Sequence, residues 1–451
     1  MGWFTKSRSK EPVEEVISSD PETEEVEFQL SNEQKKLFNI LETTNSNAYI
    51  TGRAGTGKSF LLEYFTKHTS KTVVVVAPTG VAALNVGGQT IHSFFKLPPE
   101  VIDPKDVRID YKTKEILKHV DAIVIDEVSM VRVDLMEAIN VKLQLARKNK
   151  LPFGGIQMIM FGDLYQLAPV VSDGQMHRYF DDTYGGIYFF NADVYKEQPV
   201  TIYELGHIFR QKDPTFREIL STIRGGKNME SALAKINERF GADEPEGAFI
   251  TLAGTNNTVH GINREKLAEI ESEAKSYEAD ITGDITEASF PTEKKLLLKV
   301  GAQIMMIKND KKKPGRWVNG TLGVVTKLGP ETIRVSVNGV EHSVAKETWE
   351  KIKYVYDEEE ERLEKETVSS FTQFPIRLAW AMTIHKSQGK TYDTVAIDLS
   401  DGAFAHGQTY VALSRCRSLE GIYMQSTIRP QDVIVDQDVV EFMAKAETIT
   451  A

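Results

Sequence analysis

The chain has a single cysteine, Cys416, so no disulfide framework can staple it, and a reducing, cytoplasmic setting is expected. No run approaches the ~18 consecutive apolar residues that a membrane-spanning helix needs, so no membrane partner is expected. No group of cysteines and histidines has the spacing of a metal module. The first residues, Met1-Gly2-Trp3-Phe4-Thr5-Lys6, lack the serine or threonine of an N-myristoylation pattern, and the acidic residues after them argue against a transit peptide. Excess positive charge is missing as well, the net charge being −11. That deficit is uneven: residues 1–30 carry a net −5, and Asp357-Glu358-Glu359-Glu360-Glu361 forms a second acidic block. Charges beyond a Debye length of ~8 Å are largely screened, so a basic channel can coexist with this acidic exterior.

What is present is ordinary for a globular protein, 41 % apolar and 26 % charged, over 451 residues, enough for about three domains. The stretch that organises the rest is Gly52-Arg53-Ala54-Gly55-Thr56-Gly57-Lys58-Ser59, a phosphate-binding P-loop in spacing. Gly52, Gly55 and Gly57 let the backbone turn so that N–H groups, Thr56 among them, face an anion. Lys58 can reach the β/γ-phosphates of a nucleotide, and the Ser59 hydroxyl is placed for Mg²⁺. A short strand, Asn47–Ile50, precedes the motif, and Phe60–Phe65 reads as the helix that follows it.

Residues 1–28 are acidic and poor in apolar periodicity, which predicts a disordered tail. Its Trp3-Phe4 is either an unstructured end or a tip for a protein partner. Order is expected from Ser31, which can cap a helix with Gln34; Gln34 is then either a capping-box residue or a nucleotide contact. Thr72–Ala77 reads as a buried parallel strand ending in Pro78-Thr79-Gly80, where Thr79 is placed for a phosphate. A small excursion follows over about 87–118. Asp121–Ile125 is a further strand ending in Asp126-Glu127, about seventy residues after the P-loop. In a P-loop protein such a pair supplies the Mg²⁺ ligand, Asp126, and the group that polarises the attacking water, Glu127. Gln157–Phe161 runs into Gly162-Asp163-Leu164-Tyr165-Gln166, where Gln166 either senses the γ-phosphate or belongs to a polar turn. Arg210 is placed to face the nucleotide from a second domain.

Further strands are expected near 248–252 and 394–399, with short strand-like runs at 301–307, 320–325 and 332–337 between them. Asn319-Gly320 and Asn338-Gly339 are hairpin signals, so a small antiparallel barrel is expected there. Its most basic loop, Lys308 to Trp317, sets five cations beside an indole, a composition suited either to nucleic acid or to a solvated tip.

Taken in order, these motifs resemble the superfamily 1B DNA helicases, and most closely the PIF-type branch beside the RecD-like enzymes. The most specific pieces are Ala379-Trp380-Ala381-Met382-Thr383-Ile384-His385-Lys386-Ser387-Gln388-Gly389 and Tyr410-Val411-Ala412-Leu413-Ser414-Arg415. Phe153–Gln157, Leu298–Gln303 and Lys308-Asn309-Asp310 are also similar to that branch, whereas Leu164 and Ala168 stand where it often has phenylalanine and proline.

The resemblance implies an α/β fold of two RecA-like P-loop domains, with the excursion in the first and an SH3-like β-barrel inserted in the second. The first domain would span residues 29–200 and the second 201–295 and 371–430, with the barrel at 296–370 and a C-terminal segment at 431–451. By motif, Gln34 would contact adenine. Lys58, Asp126, Glu127, Gln166, Arg210 and Arg415 would serve hydrolysis, and Thr79, Gly80, His92, Phe94, His385, Lys386 and Gln388 would bind DNA. The implied function is ATP-dependent 5′ to 3′ movement on single-stranded and forked DNA in replication, recombination or repair. An ATP-switched nucleic-acid binding protein without unwinding is the competing reading.

Overall fold

Runs of β-branched residues bounded by turn residues become the strands of a seven-stranded, all-parallel sheet. Its order is Glu447–Thr448, Thr201–Leu205, Ala48–Gly52, Gln157–Phe161, Ala122–Ile125, Val73–Ala77 and Gln89–Thr90. The computed structural model describes residues 29–171, 174–242, 249–283, 290–310, 316–357 and 362–448, with Ile285 and Glu287; the acidic tail of residues 1–28 and Lys311–Lys313 lie outside the described residues. Side chains alternate between the two faces of the sheet. Val74, Val76, Ile123, Ile125, Met158 and Met160 enter one core, and Val75, Val124, Ile159 and Phe161 the other. Both faces are dry, which is why these strands are continuously apolar in sequence.

A second parallel sheet has the order Ala381–Thr383, Ile250–Ala253, Val395–Asp398, Ile422–Met424. Its thicker core holds Ile250, Leu252, Val395 and Ile397 with the helices Pro214–Gly225 and Gln408–Leu413. Between its strands the chain builds a five-stranded antiparallel sheet, Val340–Ala345, Thr332–Val337, Leu322–Leu328, Gln303–Met306 and Ile376–Leu378. Asn338-Gly339 closes the hairpin Thr332–Val337/Val340–Ala345 with φ of 50° and 78°, the left-handed pair a two-residue turn requires. Asn319-Gly320 instead ends a longer loop before Leu322–Leu328.

A long antiparallel hairpin, Glu347–Asp357 with Arg362–Gln373, forms an arm that reaches the first domain. There the Tyr354 hydroxyl accepts from Val75 N (3.2 Å), Tyr354 N donates to Gln89 Oε1 (3.2 Å), and Lys365 Nζ donates to the Gly87 carbonyl (2.6 Å).

Several expected boundaries shift. Thr201–Leu205, assigned by the sequence to the second domain, pairs with the P-loop strand in the first sheet. The C-terminal segment returns there too, packing Val439 and Met443 into the first core and pairing Glu447–Thr448 with Thr201–Leu205. Lys275–Glu278, Asp280–Thr282 and Ile376–Leu378 pair with antiparallel neighbours, not with the second parallel sheet. Trp317, read as a possible base platform, is only 7 % exposed; it is packed in the core of the antiparallel sheet with Arg316 4.2 Å above it.

Candidate functional site: a cleft between two parallel sheets

The P-loop turns on left-handed glycines, Gly55 at φ 85° and Gly57 at φ 79°. Both are also pressed from outside: an added Cβ would lie 2.3 Å from Arg210 Cβ at Gly55 and 2.7 Å from Gln34 Nε2 at Gly57. Lys58 opens the helix Lys58–His68, and its ammonium donates to the carbonyls of Gly52 (2.7 Å) and Arg53 (3.2 Å). Burial pulls its pKa down against the charges of Asp163 and Glu127. Thr56 Oγ1 donates back to Arg53 O at 3.0 Å, and Ser59 is exposed in the first turn of the helix. Gln34 takes the capping-box position and also touches the P-loop. It closes a capping box with Ser31, and its Nε2 donates to the Gly57 carbonyl at 3.3 Å. Phe209, half-exposed beside Gly57, has its N–H on the Gly55 carbonyl at 2.8 Å.

Asp126 and Glu127 follow the strand Ala122–Ile125, with Asp126 N donating to Val76 O (3.0 Å) and Glu127 held at φ 52°. A left-handed non-glycine residue at a strand end is costly, and it aims the Glu127 side chain where a regular strand would not. Burial pushes Asp126 up to about 6; burial and the Asp126 charge push Glu127 up to about 7, with Lys58 opposing both.

The second half supplies the other wall. Gln388 Nε2 lies 3.1 Å from Glu127 Oε2 and 3.3 Å from Gln166 Oε1, bridging two residues of the first domain. Gln166 donates in turn to Asp163 Oδ2 at 3.1 Å. Asp163 also meets Arg224 (3.3 Å), whose other nitrogen reaches Glu204 (3.2 Å) while its guanidinium covers the Tyr165 ring at 4.0 Å. Burial opposes the Arg224 charge, but Asp163, Tyr410 and Glu204 outweigh it and raise its pKa.

Arg415 is 1 % exposed and held by Val411 O (2.9 Å) and Ser414 Oγ (2.8 Å), with the carbonyls of Ser387 and Lys390 at 3.5 and 3.4 Å. Arg210 Nη1 donates to Ser414 O at 3.1 Å, and burial with the Arg415 charge lowers its pKa to about 9. The two expected arginines therefore converge on one turn of the second domain, and the charge of Arg415 is felt at Glu127.

The helix Gln408–Leu413, just before Arg415, touches the P-loop directly: Ala54 N donates to the Tyr410 hydroxyl at 3.1 Å. Before it, His406 Nε2 donates to Leu164 O (2.7 Å) while Nδ1 accepts from Asp436 N (2.8 Å), which fixes the neutral tautomer. Gly407 sits so close to the first domain that a Cβ would stand 2.2 Å from Gln166 O.

The residues expected to line DNA separate. Thr79 caps the helix Gly80–Asn85 by accepting from Ala82 N, and Gly80 is its first residue. His92 is part-buried, its pKa lowered by burial and then by the charge of Arg132. His385 lies parallel to Phe404, centroids 6.3 Å apart, with Lys386 exposed next to it. Gln388 faces the cleft, as given above. Phe94 is 5 % exposed, edge-on to Phe95 and Tyr354, with its ring packed in the first core.

Arg224, Tyr410, His406 and Gly407 were not singled out from sequence. Tyr410 opens a quoted motif and was within reach; Arg224 lies on an ordinary amphipathic helix whose partner Asp163 is far away in the chain.

A profile described as PIF1-like helicase matches residues 29–232, and one described as DNA helicase Pif1, 2B domain, matches residues 285–328. The protein named ATP-dependent DNA helicase Pif1 from Bdellovibrio bacteriovorus is 33 % identical over 433 residues, 93 % of each chain. Among solved structures, Bacteroides Pif1 with ADP-AlF4 superposes with a TM-score of 0.85 at 37 % identity, covering 92 % of this chain and 96 % of that one. Bacteroides Pif1 bound to single-stranded DNA gives 0.67 at 38 % identity, with 92 % and 96 % covered. Similarity that spans nearly the whole of both chains, in sequence and in fold, leaves one conclusion: this chain belongs to the PIF1-like helicase family.

Proposed function

We propose that this chain is an ATP-dependent DNA helicase that hydrolyses ATP in the cleft between its parallel sheets, moves 5′ to 3′ on single-stranded DNA and unwinds duplex. The observation that carries the reading is the bridge from Gln388 to Glu127 and Gln166. It joins the water-activating carboxylate and the sensor glutamine to a turn that also carries His385 and Lys386. A switch that only bound nucleotide would have no use for a second-domain side chain on the hydrolytic carboxylate.

Phosphoryl transfer asks for positioned charge more than for covalent chemistry. Lys58 and the glycine-bounded N–H groups would hold the phosphates, Gln34 and Phe209 would flank the adenine, and Glu127 would take the proton of the attacking water. Arg210 and Arg415 would bring positive charge to the γ-phosphate as the cleft closes. The Ser59 hydroxyl and the Asp126 carboxylate are hard oxygen donors at the mouth of the loop, a set that fits Mg²⁺ shared with phosphates. When bound, Mg²⁺ held by these two oxygens would supply positive charge that offsets the phosphates.

The difference between 0.85 and 0.67 at equal identity supports a change of arrangement on DNA binding. In this chain the arm contacts of Tyr354 and Lys365 would give way. Strand displacement on duplexes with either a 5′ or a 3′ tail, with ATP, tests the function. Unwinding of the 5′-tailed duplex alone is expected; hydrolysis without displacement of either would leave the switch reading.

A further inference from the structure

On the second sheet, the chain just beyond the carboxyl ends of three strands brings together residues that the hydrolytic cleft does not use. Gly254 follows Ile250–Ala253, His385 lies just past Ala381–Thr383, and Phe404 stands in the loop after Val395–Asp398. Such strand ends are where open parallel sheets take ligands. Phe404 is 63 % exposed, yet it is fixed in place. Its N–H donates to Gln408 Oε1 at 3.0 Å, and its ring runs parallel to His385, 16° between planes. A Cβ on Gly254 would lie 3.6 Å from the ring edge.

Beneath it, Gln408 is fully buried, and its Nε2 has no hydrogen-bond partner among the described residues. Leaving a buried donor unpaired costs free energy, so a ligand that supplies an acceptor is favoured there. This donor lies 3.3 Å from where a Gly254 Cβ would stand, beside the bare α-carbon.

We propose that Phe404, backed by His385 and opened by Gly254, is a stacking platform for one unstacked base of single-stranded DNA, with Gln408 Nε2 donating to an oxygen of the same nucleotide. The proposal rests on the helicase reading. A base has a π-face whatever its identity, so the platform grips without reading sequence. Gln408 opens the helix Gln408–Leu413 that carries Tyr410 and leads into the turn of Arg415, so occupancy of the platform is felt on the element that touches the P-loop.

The test compares wild type, Phe404→Ala and Phe404→Trp for binding to fluorescent oligothymidine and to an abasic oligomer of equal length, at several salt concentrations. Phe404→Ala should bind oligothymidine about 5- to 100-fold more weakly, with an unchanged salt slope, and the abasic oligomer as wild type does. Phe404→Trp should restore binding. Equal affinities of wild type and Phe404→Ala for oligothymidine would overturn the platform and leave the helicase reading standing. So would an equal loss on the abasic oligomer, which marks a backbone contact. Failure of wild type to bind either oligomer would overturn the helicase reading together with the platform.

Discussion

Besides the C-terminal segment that packs on the first sheet, the cleft and the arm join the two parallel-sheet regions through different chemistry. At the cleft the contacts are buried and charged or amide-bearing: Arg224 with Asp163, Gln388 with Glu127, Tyr410 with Ala54 N. At the arm they are neutral hydrogen bonds and a lysine on a carbonyl, around a cavity of about 240 Å³ lined by Lys96, Lys112, Lys353 and Tyr354. A buried ion pair tolerates little displacement, because removing one partner strands a charge in low dielectric. A neutral hydrogen bond is cheaper to break, because its loss strands no charge.

That contrast is testable from the strongest effect downward. Glu127→Gln should lower ATP hydrolysis by ~10²–10⁴ with ATP binding retained, measured by turnover and nucleotide titration. Wild-type turnover would remove Glu127 from the chemistry. Arg415→Ala should cost ~10³ in turnover, about 4 kcal/mol, and leave nucleotide-free DNA binding unchanged. An equal loss of DNA affinity would move Arg415 out of the cleft's chemistry and into the scaffold.

Arg224→Met leaves the buried Asp163 charge without its ion-pair partner, so thermal and denaturant unfolding should show a loss of about 3 kcal/mol or more. A loss under about 1 kcal/mol would make the cleft pair no firmer than a surface contact.

The carboxylate pair adds a pH signature. Burial raises both folded pKa values, to about 6 and about 7, above their unfolded values. The folded state therefore binds more protons between about pH 4 and pH 7, and the stability this pair contributes is present at the acid end and lost as pH rises through 7. The double variant Asp126→Asn with Glu127→Gln should flatten that part of the nucleotide-free stability profile. An unchanged slope would place its origin elsewhere.

The smallest effect is expected at the arm. Tyr354→Phe removes one buried hydrogen bond to Val75 N and should cost about 1 kcal/mol of stability with basal hydrolysis intact. A large fall in basal hydrolysis would erase the distinction between the two contacts.

Much of this was legible in the sequence where the physics is local. The apolar run at 157–161 and the alternation at 332–337 coincide with strands, and Ser31 with Gln34 makes the capping box that its spacing predicts. Side-chain direction at loops was not legible. Gln388, grouped by motif with His385 and Lys386, follows the short helix His385–Ser387 and reaches Glu127 across the cleft, a contact no spacing predicts. The packing of Phe94 was not legible either, because the arm's Tyr354 arrives against it from a distant part of the chain.

By itself the sequence determined the P-loop, the carboxylate pair, the alternation of strands and helices and the glycine-dependent turns, since each rests on residues within a few positions of one another. Only the tertiary structure decided that the last strand closes on the first sheet, that Arg224 pairs with Asp163, and that Gly407 must be bare for the two halves to touch. Those facts depend on surfaces that meet after long stretches of chain have folded. No local pattern encodes a contact whose partner is set by packing.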